Sequence, residues 1–362
     1  MSTTTDSMIN AATYNERAIE VASLLTEARM ARAAERAPRT RDQLFPDYNR
    51  VGYGVAAEWE AMGSRPASEA LTARCDELGF EFEHLGTTLG TVIHGIDLRM
   101  IDADQVAFIR ATLLERKVIF FRDQHLSEDE QVAFGRCFGE LDAFPFGASG
   151  ENPFILQISH DAQRPGTENG WHTDVTWMTE PSLGSIAQLV TAPETGGDTL
   201  FADSHAAYLG LPTELAQRLA HLDGINDYRI FLGAADDELT DAIKAQIPFG
   251  VTHPLVRVHP ETGKLALYLH GGFLRHDSLH DRRTGEQVED SRRIIGRLLE
   301  EHKRPEYQCR FSWQVGSIAF WDNRAVQHYA ASDYHPYDRV LRRVTVSGDR
   351  PYGVDAPQAE RR

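Results

Sequence analysis

Trp171-His172-Thr173-Asp174 lies near the middle of the chain and Trp321-Asp322-Asn323-Arg324-Ala325-Val326-Gln327-His328 near its end, and the fold has to reconcile these two segments. Two imidazoles and one carboxylate are the donor set of a mononuclear non-haem iron centre, so His172, Asp174 and His328 are expected to converge. His172 and Asp174 stand two positions apart. On a strand, alternate side chains point to the same face, which lets both reach one ion, and His328 then closes the set. Three protein ligands on one face of an octahedron leave the remaining positions for a chelating co-substrate and O₂. The pattern therefore reads as Fe(II) oxygen chemistry.

Composition narrows what surrounds such a site. The chain has 362 residues, 41% hydrophobic and 25% charged, enough for a sizeable core in one large domain with extensions. Its net charge of −17 argues against a general nucleic-acid binder, because phosphate-backbone proteins concentrate Lys and Arg. Cys75, Cys137 and Cys309 are widely spaced and odd in number, which fits neither a disulfide framework nor a CxxC metal site. A reducing, cytoplasmic setting is expected. No apolar run approaches the roughly 18 to 20 residues that span a bilayer, and the opening Met1-Ser2-Thr3-Thr4-Thr5-Asp6-Ser7 lacks a basic segment leading into an apolar one. No membrane partner is expected.

The first 76 residues differ in texture from the rest. Ala11 to Ala37 is rich in Ala, Glu and Arg, with Ile19, Val21, Leu24, Leu25 and Met30 among charges, which predicts one or two exposed helices. Residues 1–76 thus read as a helical extension that docks on the main domain or on a second copy in a homo-oligomer, 77–350 as the main domain and 351–362 as a tail. Helices are expected at Asp102 to Lys117, after the Ser127-Glu128-Asp129-Glu130 capping box, at His205 to Leu222 and at Asp290 to Lys303. Strands are expected at Val118 to Phe121, Phe154 to Ser159, Ser185 to Thr191, Thr199 to Ala202, Val256 to His259, Leu265 to Leu269, Gln308 to Trp313, Ser317 to Trp321 and Arg343 to Ser347. Many short strands with helices between them predict a mainly β fold, a double-stranded β-helix or jelly roll flanked by helices. Gly271 to Asp290 reads as a surface loop, with a lid over the barrel mouth as the alternative.

The surroundings of the two segments sharpen the reading. Gly196-Gly197-Asp198-Thr199 follows the first; Tyr329-Ala330-Ala331-Ser332-Asp333-Tyr334-His335-Pro336, Arg339 and Arg343 follow the second. Taken together, over roughly residues 78 to 350, these resemble the TauD/TfdA family of Fe(II)- and 2-oxoglutarate-dependent dioxygenases. The resemblance implies that His172, Asp174 and His328 bind iron, that Arg339 grips the far carboxylate of 2-oxoglutarate with Thr199 adding a hydroxyl, and that Arg343 serves the co-substrate or the substrate's anionic group. An arginine fork suits a carboxylate because its paired N–H groups match the two oxygens. It further implies that O₂ and 2-oxoglutarate are consumed to oxidise a C–H bond of a small-molecule substrate, with release of succinate and CO₂. With Asp174 in a metal position, halogenation is disfavoured. Trp171, Trp177, Phe201, Trp313 and Trp321 read as core packing around the ligand segments.

One departure bears on the substrate. Sulfonate and sulfate-ester members carry a histidine before proline just after Phe-Gly-x-Leu, whereas this chain has Phe138-Gly139-Glu140-Leu141-Asp142-Ala143-Phe144-Pro145. Phe144 cannot donate a hydrogen bond, so a larger or more apolar substrate than taurine is expected, with Glu168 and Asn169 as further substrate contacts. His84, His94, His125, His253 and His270 are read as structural. Three alternatives stay open at this point: a sulfonate or alkyl-sulfate dioxygenase of sulfur assimilation, a non-catalytic jelly-roll protein that binds a small acid, and a cupin-like metal isomerase.

Overall fold

A computed structural model of the protein describes residues 11–34, 44–45, 49–147, 152–233 and 235–357. The chain divides into two compact units, Met1–Tyr48 and Asn49–Arg362. In the first, the helix Ala11–Ala34 leaves Ile19, Val21, Leu24, Leu25 and Met30 exposed.

Sixteen strands follow in the described part of the second unit. They are β1 (Glu81–His84), β2 (Thr91–His94), β3 (Val118–Phe121), β4 (Leu141–Asp142), β5 (Leu156–His160), β6 (Gly184–Thr191), β7 (Thr199–Asp203) and β8 (Leu222–Asn226). The rest are β9 (Val251–Pro254), β10 (Val256–Val258), β11 (Leu265–Leu267), β12 (His280–Asp281), β13 (Gln308–Phe311), β14 (Ile318–Asp322), β15 (Val326–Ala330) and β16 (Arg339–Val346). The main sheet runs β1-β2-β3-β14-β6-β16-β4, with β5 also paired to β16, and a second sheet runs β13-β7-β15.

The two-residue period of the central strands explains how the layers stack. Ile119 and Phe121, Ile318 and Phe320, and Val344 and Val346 join one core under the helices Ala103–Arg116 and Glu128–Arg136. Their neighbours Val118, Phe120, Ala319, Trp321 and Leu341 face the other way, onto Phe201, Phe311 and Val326 of the second sheet. Phe120 stacks on Phe311 across that gap at 4.0 Å. Two sheets sharing a buried face, with helices on the outer side of one, form the expected jelly-roll core.

Residues 49–77 belong with this unit rather than with an appendage that ends at 76. The helix Arg50–Ala61 buries Glu58 against the Lys117 ammonium, 2.8 Å away, which also lies 3.0 Å from Asp203. The helix Glu69–Glu77 buries Leu71 and Cys75 in the main core. An ammonium with almost no exposure needs both carboxylates, so the first of these helices is pinned in place. The helix expected from His205 to Leu222 is interrupted: Ser204–Leu209 and Thr213–Leu219 are separate, because Pro212 has no N–H to continue the first. Gly271 to Asp290 is mostly loop, but β12 within it pairs with β8.

Candidate active site

His172 and Asp174 reach their positions without a regular strand between them. His172 makes a single β-bridge to His328 of β15, its N–H donating to the His328 carbonyl at 3.0 Å and its carbonyl accepting the His328 N–H at 2.8 Å. Asp174 follows in a turn, where Val175 has a φ of 48°. The expected i, i+2 strand geometry is thus replaced by a bridge and a turn. Asn323 holds the turn: its carbonyl accepts from the Thr173 hydroxyl at 2.6 Å, and its amide oxygen faces the Asp174 N–H at 3.4 Å.

One potential ligand atom from each of His172, Asp174 and His328 lies within 4.8 Å of the others. Asp174 Oδ1 is 3.8 Å from Nε2 of His172 and 3.8 Å from Nε2 of His328. The His172 Nδ1–H donates to the Gly170 carbonyl at 2.8 Å, which fixes the tautomer and leaves the Nε2 lone pair free. Trp321 and Phe201 flank the His328 ring at 4.8 and 6.1 Å.

Electrostatics favour a cation here. Burial alone would raise the Asp174 carboxyl, but Arg343, His328, His172 and a 2.9 Å hydrogen bond from Ser185 outweigh it and hold the group well below the usual carboxylate range. Burial, and then the neighbouring His172, lower His328 to about 3, so its ring is neutral and able to ligate at neutral pH. Its Nδ1 is buried without a hydrogen-bond partner. Two imidazoles, one of them held neutral by burial, and one ionised carboxylate, brought together, fit a divalent first-row metal.

Two cavities meet at this cluster, sharing Glu168, His172 and Arg343. The smaller, of about 80 Å³, is lined by Thr199, Trp313, Tyr334 and Arg339 as well. Trp313 Nε1 donates to the Thr199 hydroxyl at 2.9 Å, leaving the hydroxyl hydrogen to donate elsewhere. Arg339 is buried with an unpartnered Nε, and burial lowers its guanidinium against the opposing pull of Tyr334 and Glu168. A buried guanidinium with free N–H beside a hydroxyl donor can take a carboxylate.

The larger cavity is an open cleft of about 940 Å³. Phe144, Phe231 and Phe273 line it, backed by Phe146, Tyr228 and Trp177, and Lys303 stands on its wall. The expected site residues therefore gather, though not all as expected. Arg343 donates to Asp174 Oδ1 at 3.0 Å. Asn169 accepts the Ser332 N–H at 2.9 Å, and Glu168 lies 3.3 Å from His160. His270, read as structural, lines the cleft with its ring 5.2 Å from His172. Reasoning from sequence missed Ser185, His160 and Tyr334. No spacing rule marks them, since each reaches the site through strand pairing or a loop.

Comparison with known proteins agrees with this geometry. The profile of the taurine catabolism dioxygenase TauD, TfdA family matches residues 81–345. The alkylsulfatase of Acinetobacter baylyi is 37% identical over 276 residues, 74% of this chain and 84% of that protein. The alpha-ketoglutarate-dependent sulfate ester dioxygenase of Pseudomonas putida is 34% identical over 299 residues, 80% of this chain and 96% of its own. A taurine dioxygenase from Burkholderia xenovorans, known from its crystal structure, superposes with a TM-score of 0.64 at 36% identity, covering 77% of this chain and 94% of that one. Fold, convergent donors and sequence likeness agree, and the chain belongs to the TauD/TfdA family of Fe(II)- and 2-oxoglutarate-dependent dioxygenases.

Proposed function

We propose that His172, Asp174 and His328 hold the ferrous ion, that Arg339 and Thr199 bind the far carboxylate of 2-oxoglutarate, and that the enzyme oxidises a C–H bond of an organic sulfate ester with an apolar body. The observation that carries the metal assignment is a single oxygen, Asp174 Oδ1, equidistant at 3.8 Å from two imidazole nitrogens where the two cavities meet. Membership of the family removes the non-catalytic and isomerase readings.

When bound, iron and 2-oxoglutarate supply the oxidation of substrate by O₂, with succinate and CO₂ as the other products. The protein's own residues do the rest. Arg343 and Ser185 keep Asp174 ionised and oriented. Trp321, Phe201 and Trp313 wall the centre away from bulk water. Phe144, Phe231 and Phe273 present an aromatic wall that positions an apolar chain with one carbon toward the centre. Hydroxylation of the carbon bearing a sulfate-ester oxygen gives a product that collapses to an aldehyde and sulfate, breaking the C–O bond.

The sulfate-ester reading draws support from the names of the Acinetobacter baylyi and Pseudomonas putida relatives and from a cleft far larger than taurine requires. Phe144 offers no donor to a sulfonate or a sulfate headgroup, so it favours an apolar substrate body and leaves the headgroup to the cations of the cleft. Glu168 and Asn169 border the cleft and belong to its polar rim. Arg343 and Lys303 are the cations available to an anionic headgroup. A cytoplasmic location is part of the proposal, supported by cysteines that are all free among the described residues. Among those residues, no helix is long and apolar enough to cross a membrane.

The test is O₂ uptake with Fe(II) and 2-oxoglutarate across alkyl sulfates of increasing length, with taurine alongside. Uptake and aldehyde release stimulated by alkyl sulfates of medium length, and not by taurine, support the reading. Stimulation by taurine alone overturns it.

A further inference from the structure

The side chains behind Arg339 form a run of polar contacts that ends in the substrate cleft. His160 on β5 and Arg339 on β16 stand opposite one another in register. The Tyr334 hydroxyl lies 2.6 Å from His160 Nδ1, and His160 Nε2 lies 3.3 Å from Glu168 Oε1. A carboxylate only accepts, so Nε2 carries the hydrogen that faces Glu168, and Nδ1 takes the phenol's hydrogen. With its hydrogen committed to His160, the Tyr334 oxygen is left to accept. The donors beside it are the Arg339 guanidinium, whose carbon lies 5.6 Å from the Tyr334 ring centroid, and the Ser332 hydroxyl.

Two further observations show that this arrangement is built in. Glu168 is fixed from its own loop, accepting the Thr167 N–H at 2.9 Å, and it lines both cavities. Gly166 passes so close to the phenol that a β-carbon there would sit 2.5 Å from the Tyr334 oxygen and 2.7 Å from the Ser332 hydroxyl. A side chain there would push the phenol or the Ser332 hydroxyl aside.

We propose that Glu168, His160 and Tyr334 are positioning residues for the co-substrate. The relay presets the Arg339 fork before 2-oxoglutarate arrives, and it makes the loop bordering the substrate cleft a working part of the co-substrate pocket. An arginine already held in one rotamer loses less freedom when it grips a carboxylate, so the gain appears as affinity. Glu168 then acts through His160 and Tyr334, in place of the direct substrate contact expected from its place before the His172 segment. The inference rests on the assignment of Arg339 to 2-oxoglutarate.

The experiment is calorimetric titration of 2-oxoglutarate into Mn(II)-loaded protein, with KM for 2-oxoglutarate and for substrate measured on the Fe(II) enzyme. Tyr334→Phe and Glu168→Ala are expected to weaken 2-oxoglutarate binding about three- to tenfold, the loss of one hydrogen bond. Glu168→Gln keeps an acceptor for His160 and stays near wild type. The double variant Glu168→Ala/Tyr334→Phe is no weaker than the worse single one, because both break the same relay. Wild-type 2-oxoglutarate affinity in Tyr334→Phe overturns the relay, as does a Glu168→Ala variant that changes only the substrate KM. Arg339→Ala separates the two layers of the argument: if it binds 2-oxoglutarate as tightly as wild type, the Arg339 assignment itself falls. Should Glu168→Ala fold poorly, Tyr334→Phe, which deletes a single oxygen, decides the matter.

Discussion

Arg343 and Asp174 form an ion pair in which one guanidinium nitrogen donates at 3.0 Å to Oδ1, the same carboxylate oxygen that faces Nε2 of both His172 and His328. A cation that arrives between the histidines therefore meets an acid already ionised and already oriented. A metal held there would need no proton release from this carboxylate at neutral pH.

The pair makes a pH-dependent prediction. Asp174 sits well below the usual carboxylate range, so its charge is present at neutral pH and is lost only as pH falls through that depressed value. Replacing Arg343 by Ala removes the largest attraction opposing burial and moves the loss to higher pH. Mn(II) affinity measured from pH 7.5 down to pH 5 is expected to fall more steeply in Arg343→Ala than in wild type; parallel profiles would refute the role of the pair.

Arg339 is expected to set the co-substrate requirement. Hydrogen bonds to a charged partner contribute about 1.5–3 kcal/mol, so Arg339→Ala should raise the KM for 2-oxoglutarate between about tenfold and a hundredfold, with Arg339→Lys intermediate. An unchanged KM would assign the carboxylate to another cation.

Acid should destabilise the fold through its buried histidines. Burial lowers His205, His253 and His302 to about 4 each. In the unfolded chain they titrate near 6.5, so below that pH the unfolded state binds protons that the folded state refuses. Stability is fully present above about pH 6.5 and falls as pH drops toward 4, by roughly 1–2 kcal/mol per histidine at pH 5. Urea midpoints at pH 7.5 and pH 5 check this; an equal or higher midpoint at pH 5 would contradict it.

Phe144 tests the substrate reading. Phe144→His places a donor in the cleft beside Phe146 and Phe231, whose rings now meet Phe144 edge-on at 6.1 and 5.8 Å. The variant should shift preference from long-chain toward short-chain anions, because it loses part of the aromatic wall and gains a donor, read as a change in the ratio of kcat/KM values. An unaltered ratio would place the substrate elsewhere.

Much of the architecture was legible because the strands at Val118, Ser185 and Ser317 alternate faces of a buried sheet, and that leaves runs such as Val118-Ile119-Phe120-Phe121 unbroken by polar residues. The capping box at Ser127 was equally plain, and both of its reciprocal hydrogen bonds form. The strand that carries His328 was not anticipated as a strand. Its Val326-Gln327-His328-Tyr329-Ala330 mixes polar and apolar side chains because Gln327 is buried by donating to the Leu269 carbonyl rather than by packing in an apolar core.

The site divides along the same line. That His172, Asp174 and His328 converge could be read from residue type, though not the bridge and turn that bring the first two together. Ser185, His160 and Tyr334 could not, because their partners lie on other strands and loops, and only sheet register decides that His160 stands across from Arg339. Glu168 lines both cavities, yet it lies beside His160, which nothing in the local sequence announces.

The central claim is that three side chains hold one ion on which 2-oxoglutarate depends. Stepwise titration of a divalent metal and then 2-oxoglutarate into wild type, His172→Ala and Asp174→Ala, with substrate-dependent succinate formation measured on the same samples, tests it most directly. The account predicts one ion per wild-type chain, 2-oxoglutarate binding that appears only after the metal, and loss of both binding and succinate in the folded variants. Wild-type metal binding and turnover in either variant would contradict it.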